Sequence, residues 1–231
     1  MVRKDMCHAR KMEIPRGGSR VKVVIFGATG RTGQELVFQA LDRGFGVVAY
    51  ARNPDKIPQE HPHLTKVAGK LDNGEALKTA IEGSDCVLSA LGPTGKPSDE
   101  ELSDGIAHIL SVMEEVGIAR FIALSTTSAQ DPHDVDSFRS KLRRDMIKRG
   151  RPTSYKQIVK YSQLIRDSRC DWTLVRIASI LTDKPLSKRV RAGYLGRDVF
   201  RSVLARADLA WFMLEQVEST EHLRKAPALS N

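Results

Sequence analysis

Three glycines at three-residue spacing, Gly27, Gly30 and Gly33, follow the apolar run Val21-Lys22-Val23-Val24-Ile25-Phe26 and precede a helical pattern over residues 34–41. Glycine lets a ligand approach the backbone closely. The N-terminus of the helix behind it offers unpaired N–H groups and the positive end of a dipole. Strand, glycine turn and helix, in that order, are the parts of a nucleotide phosphate site. The spacing is G-x-x-G-x-x-G, not the G-x-G-x-x-G of the common dinucleotide fingerprint. A tight turn without a ligand is the alternative. The continuous apolar strand before it favours the phosphate.

Further positions carry chemistry. Arg52 stands at the tip of the second apolar run, where an adenosine ribose would lie. An acidic residue there bonds the ribose 2′-OH and selects NAD, whereas Arg accommodates a 2′-phosphate. No carboxylate follows until Asp55, so NADP is expected over NAD, a turn-flanking surface arginine being the alternative. Gly92 closes a fourth run and would let backbone pass beside a ribose or nicotinamide, or simply start a loop. Ser125-Thr126-Thr127-Ser128 ends a fifth. Hydroxyls at a strand's carboxyl end can touch a substrate carbonyl, or serve as loop and capping groups. No metal is expected: the three cysteines lack ligand spacing, and the six histidines form no H-x-x-x-H pair.

The elements that must position these groups follow from periodicity. Apolar runs at 21–26, 47–51, 85–91, 120–124 and 171–176 read as buried strands, with a weaker one at 64–68 that Lys66 interrupts. Helices are expected at 34–41, 75–82, 99–116, 154–168 and 209–217, with helical stretches in the basic segment 131–150. Residues 177–201 break into short segments, read as substrate-side elements, and the tail after Glu221 is expected to add an edge strand. The alternation predicts one α/β Rossmann domain over 21–231, with a doubly wound parallel sheet. Residues 1–20 read as a flexible basic lead-in without the apolar core of a secretory signal.

Composition sets limits. With 41% hydrophobic and 28% charged residues the chain is globular in type. No apolar run nears the roughly 18 residues of a membrane span. The net charge of +9 concentrates at 1–20, 139–160 and 184–191, read as solvated faces that also attract anions. No nucleic-acid module accompanies it, so neither nucleic acid nor membrane is expected as a partner. Structural thiols point to a reducing, cytoplasmic setting, and a monomer or weak homo-oligomer is expected.

Gly27-Ala28-Thr29-Gly30-Arg31-Thr32-Gly33, Ala51-Arg52-Asn53-Pro54, Ala90-Leu91-Gly92, Asp171-Trp172-Thr173-Leu174-Val175-Arg176 and Ala205-Arg206-Ala207-Asp208-Leu209-Ala210 together resemble the atypical short-chain dehydrogenase/reductases. Within them the chain is most similar to the NAD(P)H-binding branch of NmrA-like proteins and flavin/biliverdin-IXβ reductases. The resemblance implies that Gly27, Gly30 and Gly33 hold a pyrophosphate and that Thr29 and Thr32 line the turn. It implies that Arg31 and Arg52 clamp a 2′-phosphate, and that Leu91 and Gly92 lie along the ribose and nicotinamide. Ser125 and Thr126 match the superfamily's serine, and Ile177 stands where the family often has proline. Two positions depart from the pattern. Gly69-Lys70 replaces the acidic residue near the adenine, leaving that contact to backbone and Leu71. The Tyr-x-x-x-Lys acid is missing: Lys160 fits the lysine place, but Lys156 stands four residues earlier and Tyr155 about 140° around the helix.

The function expected from the resemblance is an NADP(H)-dependent oxidoreductase. It would pass hydride to a small conjugated acceptor of flavin, quinone, tetrapyrrole or aromatic polyketide type, an anionic one being compatible with the basic segments, with solvent or a Ser125/Thr126 hydroxyl supplying the proton. A non-catalytic NADP-binding sensor and a redox-neutral isomerase or dehydratase are the alternatives.

Overall fold

The computed structural model describes residues 20–95, 101–198 and 200–231. The expected lead-in therefore lies, but for Arg20, outside the described residues. The elements run β1 (Lys22–Phe26), α1 (Arg31–Asp42), β2 (Gly46–Ala51), β3 (Leu64–Ala68), α2 (Gly74–Ile81), β4 (Cys86–Ser89), α3 (Leu102–Val116) and β5 (Arg120–Thr126). They continue with α4 (Phe138–Gly150), α5 (Pro152–Asp167), β6 (Asp171–Ile177), β7 (Ile180–Thr182), β8 (Arg191–Gly193), β9 (Val203–Ala205), α6 (Arg206–Glu218) and β10 (Ala228–Ser230).

Local chemistry sets several boundaries. Gly117 ends α3 in the left-handed region at φ 78°, which costs glycine nothing. Ser137 and Ser140 cap α4 reciprocally. Pro152 opens α5 two residues before the expected start at Ser154, at a place where a missing N–H does no harm. Lys66 does not break β3: its Nζ bonds the Ile57 carbonyl at 2.9 Å and Glu60 at 2.5 Å beside the strand.

The main sheet has the order β3-β2-β1-β4-β5-β6-β10-β8. It is parallel except for β8, which pairs antiparallel with β10. A separate two-stranded parallel sheet joins β7 to β9. The expected doubly wound Rossmann sheet is present, with two corrections. The strand after Glu221 lies inside the sheet, between β6 and β8, and the edge is β8.

Apolar side chains alternate along the strands into two cores. Val24 and Phe26 face α2, α3 and α5 together with Tyr50, Phe121 and Tyr161. Val23 and Ile25 face α1 and α6 together with Leu36, Leu209 and Met213. Strands buried on both faces explain why their sequences are nearly continuous apolar runs. Among the described residues no helix is long and apolar enough to cross a membrane.

Candidate functional site

The strand order reverses between β1 and β4, so the crevice at their carboxyl ends is the topological switch point. Across it the strand ends stand in the order Arg52, the glycine turn, Leu91-Gly92, Thr126 and Ile177. Four strand spacings put about 19 Å between the first and last, a row suited to an extended dinucleotide. Register adds a wall. Ala123 of β5 is level with Ser89 of β4, and Ser89 with Phe26. Thr126 therefore projects three residues, roughly 10 Å, above the end of β1.

The glycines do different work. Gly27 has φ +75°, and a Cβ there would lie 3.0 Å from the Ala90 carbonyl carbon and 3.1 Å from Leu91 N, so turn and β4 end are in contact. At Gly33 a Cβ would come 2.1 Å from the Gly27 carbonyl oxygen, so only glycine lets α1 pack this closely on the turn. Gly30 has ordinary φ (−76°) and its imagined Cβ meets nothing nearer than 3.3 Å. The fold needs the first and third glycines. A ligand lying on the turn is what would need the second. No side chain caps α1, and its first turn, with half-buried to exposed Thr29, Gly30 and Arg31 around it, leaves its N–H groups facing the crevice. This arrangement fits a pyrophosphate: orphan donors, close backbone and no acidic residue in the first helical turn. Thr32 is buried against the turn.

On the adenosine side Arg52 is exposed and makes no ion pair or hydrogen bond among the described residues. Arg31 behaves otherwise. Its guanidinium pairs with Asp183, just past β7, and Asp183 also takes a 2.6 Å bond from Arg206 at the start of α6. The expected joint clamp of Arg31 and Arg52 is thus not assembled here; Arg31 is engaged with a carboxylate. Tyr50, read from sequence only as a strand residue, pins the adenine-side loop. Its hydroxyl donates to the Lys70 carbonyl at 2.7 Å, and a Cβ at Gly69 would meet that hydroxyl at 2.1 Å. Burial, then Asp72, pushes the Tyr50 phenol up to about 12, so it stays a donor. Leu71 is half-buried and turned onto α3, where a Cβ at Gly105 would lie 2.5 Å from its Cδ1.

On the nicotinamide side, Leu91 and Gly92 are half-buried beside the glycine turn, with the Leu91 N–H reaching Ser89 Oγ at 3.4 Å. Ser125 and Thr126 are the last residues of β5 itself, not a loop beyond it, so the pleat sends them to different places. Ser125 is buried and shares a 2.9 Å hydrogen bond with Ser162 of α5. Beside it the buried Tyr161 hydroxyl donates to the Leu124 carbonyl at 3.2 Å, and burial pushes that phenol up to about 12. Thr126 is half-buried, and its Oγ1 accepts the Ser128 N–H at 3.2 Å, which leaves its own proton to donate. Ile177 pairs with Thr126 in register and is half-buried. Lys160 is not brought to these hydroxyls. It points across to α3, where Nζ bonds Asp104 Oδ1 at 2.9 Å on an exposed face.

Two anchors beneath the substrate side carried no role in the sequence reading. Asp208, fully buried in the first turn of α6, accepts from Ser187 N at 2.8 Å, Lys188 N at 2.7 Å and Ser187 Oγ at 2.9 Å, and from Asn231. It ties the basic loop 184–191 down. Arg176 of β6, fully buried, holds Asp134 through two bonds of 2.5 and 2.9 Å and also reaches the Ala226 and Ala129 carbonyls. Asp134 in turn accepts the Leu195 N–H at 3.0 Å. One ion pair thus joins the segment after β5, the turn after β8 and the approach to β10. A charge inside an otherwise apolar strand is the signal that could have exposed Arg176. A separate cavity of about 510 Å³, lined by residues such as Leu110, Glu114, Gly117 and Cys170, opens at the opposite end of the strands and takes no part in the crevice.

Fold and crevice together define a dinucleotide-binding Rossmann protein. Residues 27–220 match the NAD(P)H-binding family, and the chain belongs to it. The resemblance read from the glycine turn is borne out at that level. A 3-beta-hydroxysteroid dehydrogenase of Mycolicibacterium neoaurum is 29% identical over 119 residues, 46% of this chain and 32% of that protein. The chain thus spans about a third of that relative's length. The oxidoreductase ylbE of Lactococcus lactis superposes with a TM-score of 0.75 at 21% identity, covering 91% of each chain. A short-chain dehydrogenase/reductase of Veillonella parvula, solved in complex with NADP, gives 0.75 at 16% identity, covering 92% of this chain and 95% of that one. These two likenesses show the fold.

Proposed function

We propose that the chain is an NADPH-dependent reductase of a small conjugated acceptor, of flavin, quinone, tetrapyrrole or aromatic polyketide type. The observation that carries this reading is Arg52: an exposed guanidinium at the tip of β2 that makes no ion pair or hydrogen bond among the described residues, with no carboxylate following it before Asp55. The planar, permanently charged guanidinium suits a phosphate. NADPH, when bound, supplies the hydride. The chain's own residues position and shield. The glycine turn and the first N–H groups of α1 take the pyrophosphate, Leu91 and Gly92 border the ribose and nicotinamide, and Thr126 with Ile177 walls the far end. Thr126 Oγ1 is already fixed by the Ser128 N–H. Its free proton can therefore meet an oxygen or nitrogen of the acceptor. Holding the reactants in place supplies much of such a rate.

NADPH oxidation measured against a panel of flavins, quinones, a bile pigment and aromatic polyketides tests the reading. Turnover with at least one class, faster with NADPH than NADH, is expected; tight NADPH binding with no turnover of any would overturn it. A specific observation favours a second reading, an NADP-binding sensor. Ser125 is tied to Ser162 and Lys160 to Asp104, so neither of these expected catalytic groups is free to act at the wall. Equal affinity for NADP⁺ and NADPH without turnover would be its signature.

A further inference from the structure

Helix α4 is built unlike its neighbours. Helices α1, α2, α3, α5 and α6 each bury part of one face. In α4 no residue with a described side chain is buried; only Ser140, Arg144 and Ile147 are half-buried. Polar contacts hold it: Arg144 bonds both oxygens of Asp136 at 3.1 Å, and Arg143 Nη1 donates to the Ala178 carbonyl at 3.2 Å. The second contact sets α4 beside the mouth of the crevice. Its apolar residues point outward. Phe138 is 80%, Leu142 51% and Met146 66% exposed. Their spacing of four places them in one stripe along the helix. Val135, just before the helix, is 49% exposed.

The charge of the same helix selects what could cover the stripe. Residues 138–150 contain six Lys or Arg against one Asp. Lys141, Lys148 and Arg149 are exposed and form no ion pair among the described residues. A second copy would bring two equally cationic faces together, in a chain that already carries +9. An anionic surface answers both the charge and the stripe. A helix that turns large apolar side chains outward with Lys and Arg beside them can lie in an anionic lipid interface, where charge attraction adds to apolar burial. The expectation of no membrane partner rested on the lack of a span, and surface docking needs none.

We propose that α4 docks the protein on an anionic lipid surface, with Phe138, Leu142 and Met146 entering the headgroup region and Lys141, Lys148 and Arg149 binding the phosphates. The test is co-sedimentation of the full chain with vesicles of phosphatidylcholine alone and of phosphatidylcholine mixed with phosphatidylglycerol. Binding is expected only to the anionic vesicles and is expected to weaken as salt rises. The variant Phe138→Ser/Leu142→Ser/Met146→Ser should lose about tenfold or more in vesicle affinity. The variant Lys141→Glu/Lys148→Glu/Arg149→Glu should lose at least as much. Both touch only exposed side chains, so melting temperature and NADPH affinity should hold, and either variant serves if the other fails to fold. Absence of binding by the unaltered chain at low salt overturns the proposal, as does binding by the variants as tight as that of the unaltered chain. Two further outcomes also overturn it: a dimer in light scattering that the serine variant dissolves, or capture by immobilised poly-glutamate without any vesicle binding.

Discussion

Arg31, on the first turn of α1, and Asp183, just beyond β7, are ion-paired at the edge of the dinucleotide crevice, and Arg206 holds the same carboxylate from α6. The arginine that the resemblance sets at a 2′-phosphate is thus engaged by a carboxylate of the chain itself. Both partners are well exposed, so the pair itself is worth little, about 1 kcal/mol at most.

Releasing Arg31 should therefore help the cofactor modestly. Asp183→Asn is expected to tighten NADPH binding by up to about fivefold, the equivalent of that energy. Arg31→Ala in the same background should remove the gain. Titration calorimetry on both variants checks this, and weaker binding by Asp183→Asn would show that the carboxylate supports the site instead.

In the proposed function Arg52 meets the 2′-phosphate of NADPH. Arg52→Asp should weaken NADPH binding by about 2 kcal/mol or more, through a lost charge-assisted contact and added repulsion. NADH binding should change little. Equal losses for the two cofactors would remove Arg52 from that role.

The glycine turn separates folding from binding. Gly33→Ala drives a Cβ to 2.1 Å from the Gly27 oxygen. It should destabilise the protein by on the order of 3 kcal/mol, visible in urea unfolding. Gly30→Ala meets nothing nearer than 3.3 Å. It should destabilise far less than Gly33→Ala while weakening either dinucleotide, because the methyl group would stand on the face of the turn where the proposed pyrophosphate would lie.

Much of this was legible beforehand, and the reason is physical. Runs such as Val23-Val24-Ile25-Phe26 are apolar because parallel strands are buried on both faces, so β1, β2, β4, β5 and β6 could be read locally. The glycine turn is likewise local. What escaped depends on distant partners. Nothing near Asp183 in sequence announces Arg31 or Arg206. The place of β10 inside the sheet is set by β6 and β8, not by its own three residues. Ser125 and Thr126 look equivalent in sequence. The length of β5 and its pleat send one to Ser162 and leave the other at the crevice.

That difference carries a prediction. Thr126→Val should lower kcat for the preferred acceptor by about tenfold or more with NADPH affinity unchanged, as expected for loss of a positioned proton donor. Ser125→Ala should cost about 1 kcal/mol of stability for its lost bond to Ser162 and leave turnover within a factor of a few. The reverse ranking would put the working hydroxyl on Ser125.

The Arg176–Asp134 pair should show in the pH dependence of stability. Burial pushes the Asp134 carboxyl up, but the Arg176 bonds and the N–H groups of Asp131 and Leu195 outweigh it, and the group lies below its ordinary value. A lowered folded value means stabilisation present above the unfolded value of about 3.9 and lost as pH falls through the folded one. Asp134→Asn also leaves Arg176 buried without its counter-charge, at about 3 kcal/mol or more near neutral pH. Urea unfolding at about pH 7 and about pH 3 should show the gap between variant and unaltered chain narrowing in acid. A gap independent of pH would mean that the carboxylate's charge is not what matters.

The position of β10 bears on the order in which the molecule assembles. β8 comes earlier in the chain than β10, yet it has no place in the main sheet until β10 has docked on β6. Sequence separation does not distinguish this edge from the half built of β1 to β5, since Val23 and Cys86 of the β1–β4 pair lie further apart along the chain than Arg176 and Ala228 of the β6–β10 pair. The difference is in the pairings themselves, four residues long between β1 and β4 but two between β6 and β10 and three between β10 and β8. The same edge hangs on short pairings and should exchange its amide hydrogens first. The half that carries the glycine turn would then stay closed while the edge beside the 184–191 loop opens and closes.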